Sequence, residues 1–255
     1  MKQKTDRSFD GIAEKFSRNI YSSTKGKLRQ LVLLRDLAEL DVLQQPCQIL
    51  DVGAGQGQLA LALAGLGHSV HLTDISADML QLAQQQATAQ GLTQLTFSQI
   101  GLAELAATHK QHYSLVLCHA MLEWLAQPEL AVAQLRQLVA PGGILSLMFY
   151  NKDAKRFGNI LFGNFDYVAA DFQVKKKVSL NPQHPLAPQE VMQWCAQAGF
   201  GLLGKTGVRC FHDYLKDRTL QQTQFAQLLA LELQYNRTEP YASLGRYQHV
   251  LLRAG

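Results

Sequence analysis

The chain reads as an α/β protein built on a doubly wound, mostly parallel sheet, and three observations predict it. Short apolar runs near residues 47–52, 69–74, 95–100, 114–118 and 144–150 alternate with stretches of helical period, the pattern of successive strand–helix–strand units. The first run ends in an acid, Asp51, and opens into a glycine-rich turn containing Gly53, Gly55 and Gly57, after which a helical pattern begins. Such a start lets bare backbone approach a ligand closely. Finally, 255 residues with 47% hydrophobic content suffice for one large α/β domain with a core of its own.

The elements follow in order. Phe9, Ile12, Ala13, Phe16 and Ile20 give residues 9–20 one apolar helical face, and a leucine-rich helix over 27–43 ends at Gln45-Pro46, so N-terminal helices span 9–43. Strand one follows at Cys47–Val52. The helix after the glycine turn runs to about Leu66 and stops at Gly67, a C-cap signal. Strand two, Ser69–Thr73, ends at Asp74, and Ser76 caps a helix to about Gln90 that Gly91 closes. Strand three near Leu95–Ile100 and strand four at Ser114–Cys118 come next. A helix over Pro128–Val139 and the turn Pro141-Gly142-Gly143 lead to strand five, Ile144–Tyr150. Periodicity then weakens. Residues 151–187 mix aromatics, glycines, asparagines and lysines, and read as a helical and loop insertion within one domain spanning 1–255. A helix at Pro188–Ala198, strands near Leu202–Cys210 and Tyr247–Arg253, and a helix near Leu220–Gln234 between them complete the sheet.

Composition narrows the function. No apolar run reaches the ~20 residues of a membrane span, and MKQKTDRSFDG has no apolar leader core, so a cytoplasmic protein is expected. The four cysteines, Cys47, Cys118, Cys195 and Cys210, are far apart, which fits buried thiols and neither a disulfide framework nor a metal site. The net charge of +4 is too small to identify a nucleic-acid-binding protein. Its distribution says more. Cations gather in Lys2–Lys27 and again at Lys152, Lys155, Arg156 and Lys175–Lys177.

The turn discriminates among ligands. A dinucleotide fingerprint would place its third glycine at position 58, where Gln58 stands, and no Gly-Lys-Ser/Thr follows for a phosphate loop. G-x-G-x-G after a strand ending in an acid instead resembles the first motif of class I S-adenosylmethionine methyltransferases, which are Rossmann-like. Asp74 stands about 20 residues past Gly53, where an acid accepts from ribose hydroxyls, although a helix N-terminus favours an acid there too. Gly53, Ala54 and Gly55 would form a backbone wall beside the methionine end of the cofactor, with Asp51 fixing the turn. Leu102 and Ala103 sit where an adenine would be sandwiched, or are plain helix-start residues. His119 lies just past strand four, either a ligand contact or a hydrogen-bonded structural residue. Cys118 beside it reads as core, not as a nucleophile. No (D/N)-P-P-(Y/F) follows strand four, where the chain reads HAMLEWL, so the clamp used for exocyclic base amines is missing. The remaining readings are an enzyme acting on RNA, one methylating a small carboxylic acid or phenol, and a non-catalytic S-adenosylmethionine-binding module.

Six segments decide among these: residues 9–30, HAMLEWL at 119–125, PGGILSLMFYN at 141–151, GNFDYV at 163–168, GKTGVRCFHDYL at 204–215 and EPYASLGRYQHV at 239–250. Together they resemble the bacterial tRNA 5-carboxymethoxyuridine methyltransferase family from end to end. The resemblance implies S-adenosylmethionine as cofactor, S-adenosylhomocysteine as product, the tRNA anticodon stem-loop as partner, and methylation of the wobble nucleoside's carboxylate. Carried over residue by residue, it implies cofactor contacts from Arg29, Gly53, Ala54, Asp74 and His119, with backbone roles for Leu102 and Ala103. A carboxylate is already ionised near neutrality and needs no general base, so positioning is expected, with no catalytic acid–base residue and no metal. Nothing calls for an obligate protein partner. Candidates for tRNA phosphates are Arg18, Lys25, Lys152, Lys155, Arg156, Lys175, Lys176, Lys177, Arg209 and Arg246. Tyr21, Phe149, Tyr150, Phe165 and Tyr167 are candidates for stacking an unpaired base.

Overall fold

Strand β1 (Gln48–Val52) is buried from Ile49 onward, so its side chains alternate between two interiors and none of them faces solvent. Ile49 joins one hydrophobic cluster and Leu50 and Val52 the other. Strand β4 (Tyr113–His119) repeats the division, with Leu115 and Leu117 on the first side and Val116 and Cys118 on the second. Both faces of the sheet therefore need helices.

The computed structural model describes residues 10–11, 23–109, 112–173 and 184–255. Its other strands are β2 (Ser69–Asp74), β3 (Leu95–Gln99), β5 (Val139–Tyr150), β6 (Phe200–Val208) and β7 (Tyr247–Ala254). In space the order is β3–β2–β1–β4–β5–β7–β6. The strands from β1 to β5 pair in parallel, and β7 inserts antiparallel between β5 and β6. Strand order reverses between β1 and β4, and a crevice opens at their carboxyl ends, where such folds bind ligands.

Helices α1 (Thr24–Ala38), α2 (Gln58–Gly65) and α3 (Ala77–Ala89) cover the first face through Leu28, Val32, Leu63 and Leu80. Helices α4 (Leu102–Thr108), α5 (Pro128–Leu138) and, further along, α8 (Pro188–Gln197) cover the second through Leu105, Leu135 and Val191. After β5 the chain forms α6 (Lys152–Leu161) and α7 (Phe165–Ala169), and α9 (Leu220–Thr223) and α10 (Phe225–Tyr235) lie between β6 and β7. Among the described residues no helix is long and apolar enough to cross a membrane.

The expected elements are present, with four differences. Helix α1 begins at Thr24, capped by the Ser23 side chain, and ends at Ala38; residues 41–43 form a separate 3-10 turn. Asp10 and Gly11 lie in a turn, not in a helix over 9–20; Gly11 has φ +74° and donates its N–H to Asp78 at 2.7 Å. The rest of that predicted helix is outside the described residues. Strand β5 begins at Val139, so Pro141-Gly142-Gly143 is a bulge inside it: Tyr113 pairs with Val139 and Leu115 with Ile144. The helix predicted near 220–234 breaks at Gln224, whose φ and ψ of −124° and 34° leave the helical range.

Candidate active site

The turn between β1 and α2 is pinned to the end of β2. Ala54 N–H donates to the Thr73 carbonyl at 3.0 Å, and Gly57 N–H closes onto the Ala54 carbonyl at 2.9 Å. Gly53 has φ +65°, and a Cβ there would meet Met121 Sδ at 2.6 Å. A Cβ on Gly57 would meet Leu72 at 2.3 Å. Positive φ favours glycine at both positions, and a Cβ would in addition have to displace the Met121 or Leu72 side chain. The Asp74 carboxylate accepts from the Gly55 N–H and the Ser76 N–H, both at 2.8 Å. Burial raises its pKa, while these two N–H groups act in the opposite sense.

Around this turn a cleft of about 770 Å³, partly open to solvent, is lined by Arg29 and Leu33 of α1, Asp51, Gly53, Ala54, Gly55, Asp74, Met79, His119 and Trp124. The sequence brought most of these residues forward. Asp51 differs: its carboxyl borders the cleft, where burial, aided by the charge of Asp74, pushes it up to about 7. Leu102 and Ala103 start α4 beside Asp74, since Ile100 N–H donates to the Asp74 carbonyl at 3.1 Å. The Leu102 side chain is in the core and Ala103 is exposed, so what this turn offers a ligand is its backbone N–H groups, which have no intrahelical acceptor. His119 Nε2 is 2.9 Å from Ser146 Oγ. Burial, then the charges of His249 and Arg29, hold His119 well below the usual imidazole range.

Sequence reasoning missed Glu123. It is fully buried in the 3-10 turn Leu122–Trp124, and among the described residues neither carboxylate oxygen has a hydrogen-bond partner of good geometry. Burial pushes it up to about 7, against the nearby backbone N–H groups of Glu123 itself and Tyr150 and then the charge of Arg29. HAMLEWL contains it, but a glutamate inside an apolar run carries no local signal of function.

Beyond the Arg29 end, cations converge from three distant segments. Glu232 of α10 accepts the N–H groups of Cys210, Phe211 and His212 at 2.7, 2.9 and 2.9 Å, and so anchors the loop after β6. This holds Arg209 at φ +66° and pairs its guanidinium with Asp213. Arg246 Nε lies 3.7 Å from the same carboxylate, and its guanidinium stacks 4.9 Å over Tyr150. Lys25 belongs to the group. Burial lowers its pKa; Asp213 opposes that, and the charges of Arg209, Arg218 and Arg246 reinforce it. Burial works against ionisation of Asp213 as well, but Arg209, His212 and Arg246 outweigh it and keep Asp213 far below the usual carboxylate range. One acid thus faces several cations, and among the described residues Arg209 Nε has no hydrogen-bond partner. Tyr247 lies under Arg209 at 5.6 Å and meets the ring of Tyr150 at 5.5 Å.

The insertion gathers the remaining candidates. Lys152 pairs with Asp171 at 2.8 Å and Arg156 with Asp153 at 2.7 Å, while Lys155 lies over Phe172 and Tyr167 at 4.6 and 5.3 Å. Phe162 and Phe165 are 55% and 65% exposed, so their rings are open to a partner. Phe149, expected to stack a base, is instead wholly buried in the core because its side of β5 faces α5 and α8. Tyr150 is buried too, and forms the floor beneath Arg246 without an open stacking face. Arg18, Tyr21, Lys175, Lys176 and Lys177 lie outside the described residues.

A family description of methyltransferase domains matches residues 49–143. Magnesium protoporphyrin IX methyltransferase from Synechocystis PCC 6803, solved with bound S-adenosylhomocysteine, superposes with a TM-score of 0.67 over 97% of this chain and 96% of that one, at 16% identity. With the glycine turn, Asp74 and the strand order, this gives the chain the class I methyltransferase fold. The Escherichia coli (strain K12) tRNA 5-carboxymethoxyuridine methyltransferase is 45% identical over 97% of this chain and 96% of its own length. The ubiquinone biosynthesis O-methyltransferase of Leptothrix cholodnii is 30% identical, over 63% of this chain and 67% of its own. The chain belongs to the tRNA 5-carboxymethoxyuridine methyltransferase family.

Proposed function

We propose that this chain methylates the carboxylate of 5-carboxymethoxyuridine at the wobble position of tRNA, forming the methyl ester. The observation that carries the reading is near-full-length similarity to a tRNA 5-carboxymethoxyuridine methyltransferase; the cation cluster, whose Lys25 stands one helical turn before the cleft-lining Arg29 on α1, supports it. The cleft fits the cofactor: glycines leave the backbone bare, Asp74 closes β2, and Arg29 supplies a cation at the other end.

S-adenosylmethionine supplies an electrophilic methyl group on a sulfonium sulfur. In this reading Asp74 accepts the ribose hydroxyls and Gly53, Ala54 and Gly55 line the methionine portion. Arg29 takes its carboxylate, His119 borders the same end, and the backbone of Leu102 and Ala103 meets the adenine. Lys25, Arg209 and Arg246 hold the non-reacting oxygen of the substrate carboxylate. Asp213 keeps the two guanidinium groups oriented, so that the reacting oxygen retains a free lone pair. The buried ring of Tyr150 and the half-buried ring of Tyr247 exclude water beneath the two guanidinium groups. No side chain has to remove a proton, because the nucleophile is already ionised.

Lys152, Lys155, Arg156, Phe162, Phe165 and Tyr167 of the insertion face the anticodon stem-loop, with Lys175, Lys176 and Lys177 extending the basic stretch. Exposed aromatics beside cations suit unpaired, stacked bases. The chain acts in the cytoplasm as one domain. The test is to incubate the protein with S-adenosylmethionine and tRNA carrying 5-carboxymethoxyuridine, then to weigh the nucleosides. A methyl ester at the wobble nucleoside is expected. An unmodified nucleoside would refute the reading, and methylation of free carboxylic acids or phenols would point to a small-molecule enzyme.

A further inference from the structure

A buried hydrogen-bonded relay runs from the cleft to the far side of the first helical layer. His119 Nε2 is 2.9 Å from Ser146 Oγ, which is 2.8 Å from His249 Nε2, and His249 Nδ1 is 2.7 Å from Asp36 Oδ2. Ser146, His249 and Asp36 are all at most 1% exposed. The relay crosses three strands' worth of sheet, from β4 through β5 to β7, and ends on α1. There the other carboxylate oxygen of Asp36 accepts from Arg35 Nε and Arg237 Nη2, both at 2.7 Å. Nothing in carboxylate methylation uses these groups, since no proton is moved.

The relay has a polarity. A carboxylate only accepts, so His249 Nδ1 carries a proton. Two guanidinium groups already face the Asp36 carboxylate, so a neutral Nδ1–H imidazole can complete its hydrogen bonds without a third cation. Its Nε2 then accepts the Ser146 hydroxyl proton. The Ser146 oxygen in turn accepts from His119, which must carry its proton on Nε2 and leave Nδ1 a bare acceptor. Burial and the charge of Arg29 favour a neutral His119 ring, which meets His249 edge-on with centroids 5.7 Å apart.

We propose that Ser146, His249 and Asp36 are positioning residues for the cofactor site: they fix His119 as the Nε2–H tautomer, so that its Nδ1 accepts a hydrogen bond from the α-ammonium of the bound amino-acid portion. The opposite tautomer would present an N–H to that ammonium and repel it. This inference rests on the reading of the cleft as the S-adenosylmethionine site. Asp36 thereby acts on the ligand from the far side of α1, and Arg35 and Arg237 act by balancing its charge.

Proton–nitrogen correlation spectra of the protein with ¹⁵N-labelled histidines, taken with and without S-adenosylhomocysteine, read the tautomer directly. The wild-type protein should show His119 protonated at Nε2. Ser146→Ala, which removes one oxygen from a buried site, should give a tautomer mixture and roughly tenfold weaker S-adenosylhomocysteine binding. Asp36→Asn, if it folds, should do the same through His249. An Nδ1–H tautomer of His119 in the wild-type protein, or a Ser146→Ala protein with unchanged tautomer and affinity, overturns the relay. The site reading fails separately: His119→Ala binding S-adenosylhomocysteine as well as wild type would remove His119 from the cofactor site whatever its tautomer.

Discussion

The glycine-turn cleft and the cation cluster are made by different means. At the β1–β2 end, ligand-facing groups are backbone amides of one turn and an acid one strand away, all held by short bonds within residues 51–76. In the cation cluster every group is a side chain, and the groups come from α1, the loop after β6 and the loop before β7, brought together by the antiparallel insertion of β7. The first is shared by a large class of proteins because backbone geometry cannot vary much; the second can change its side chains without disturbing the sheet. On the proposed reading, cofactor chemistry belongs to the fold, and acceptor choice to the loops.

The largest expected effect lies at the backbone-built end. Asp74→Ala should weaken S-adenosylhomocysteine binding by roughly 10²- to 10³-fold, the loss of two charge-assisted hydrogen bonds, and leave tRNA affinity unchanged. Calorimetry with each ligand separately checks this, and an effect confined to tRNA would merge the two. In the side-chain-built cluster, the double change Lys25→Met and Arg246→Gln should lower methyl transfer to tRNA by about 10²-fold while S-adenosylhomocysteine affinity stays within about twofold. If both quantities fell together, the division would not hold.

Glu123 tests the boundary between the two. Its folded pKa of about 7 lies above the unfolded carboxyl value, so the folded state binds the extra proton and stability falls as pH rises from about 4 to about 7. Above that window Glu123→Gln, neutral at every pH, should be more stable than wild type by up to ~3 kcal/mol, and near pH 4 the two should converge. Denaturant titrations at pH 5 and pH 8 measure it; parallel pH profiles would mean Glu123 stays ionised, paired with Arg29. The smallest effect belongs to the insertion. Phe162→Ala or Lys155→Ala should weaken tRNA binding several-fold, about 1 kcal/mol each, and the lysine change should also reduce the salt slope by about one.

The contrast also explains what could be read from the sequence. The strands β1 to β4, the glycine turn and Asp74 announce themselves through local patterns: apolar runs, positive-φ glycines and an acid at fixed spacing. The bulge in β5 does not, because Pro141-Gly142-Gly143 gives the same local signal for a turn between elements as for one within a strand. The break at Gln224 has no proline or glycine to mark it. Arg209 and Arg246 were recognisable as cations, but nothing near them in sequence says that Asp213 orients both or that Glu232 holds their loop. Glu123 stayed hidden because burial, not residue type, gives it its character.

The central claim is that the cation cluster receives a carboxylate carried by tRNA. It is tested most directly by offering one tRNA in two forms, with 5-carboxymethoxyuridine or with 5-methoxyuridine at the wobble position, and measuring methyl transfer to each. Transfer to the first alone, as a methyl ester, is predicted. Equal transfer to both, or none to the carboxylated form by protein that binds S-adenosylhomocysteine, would contradict it.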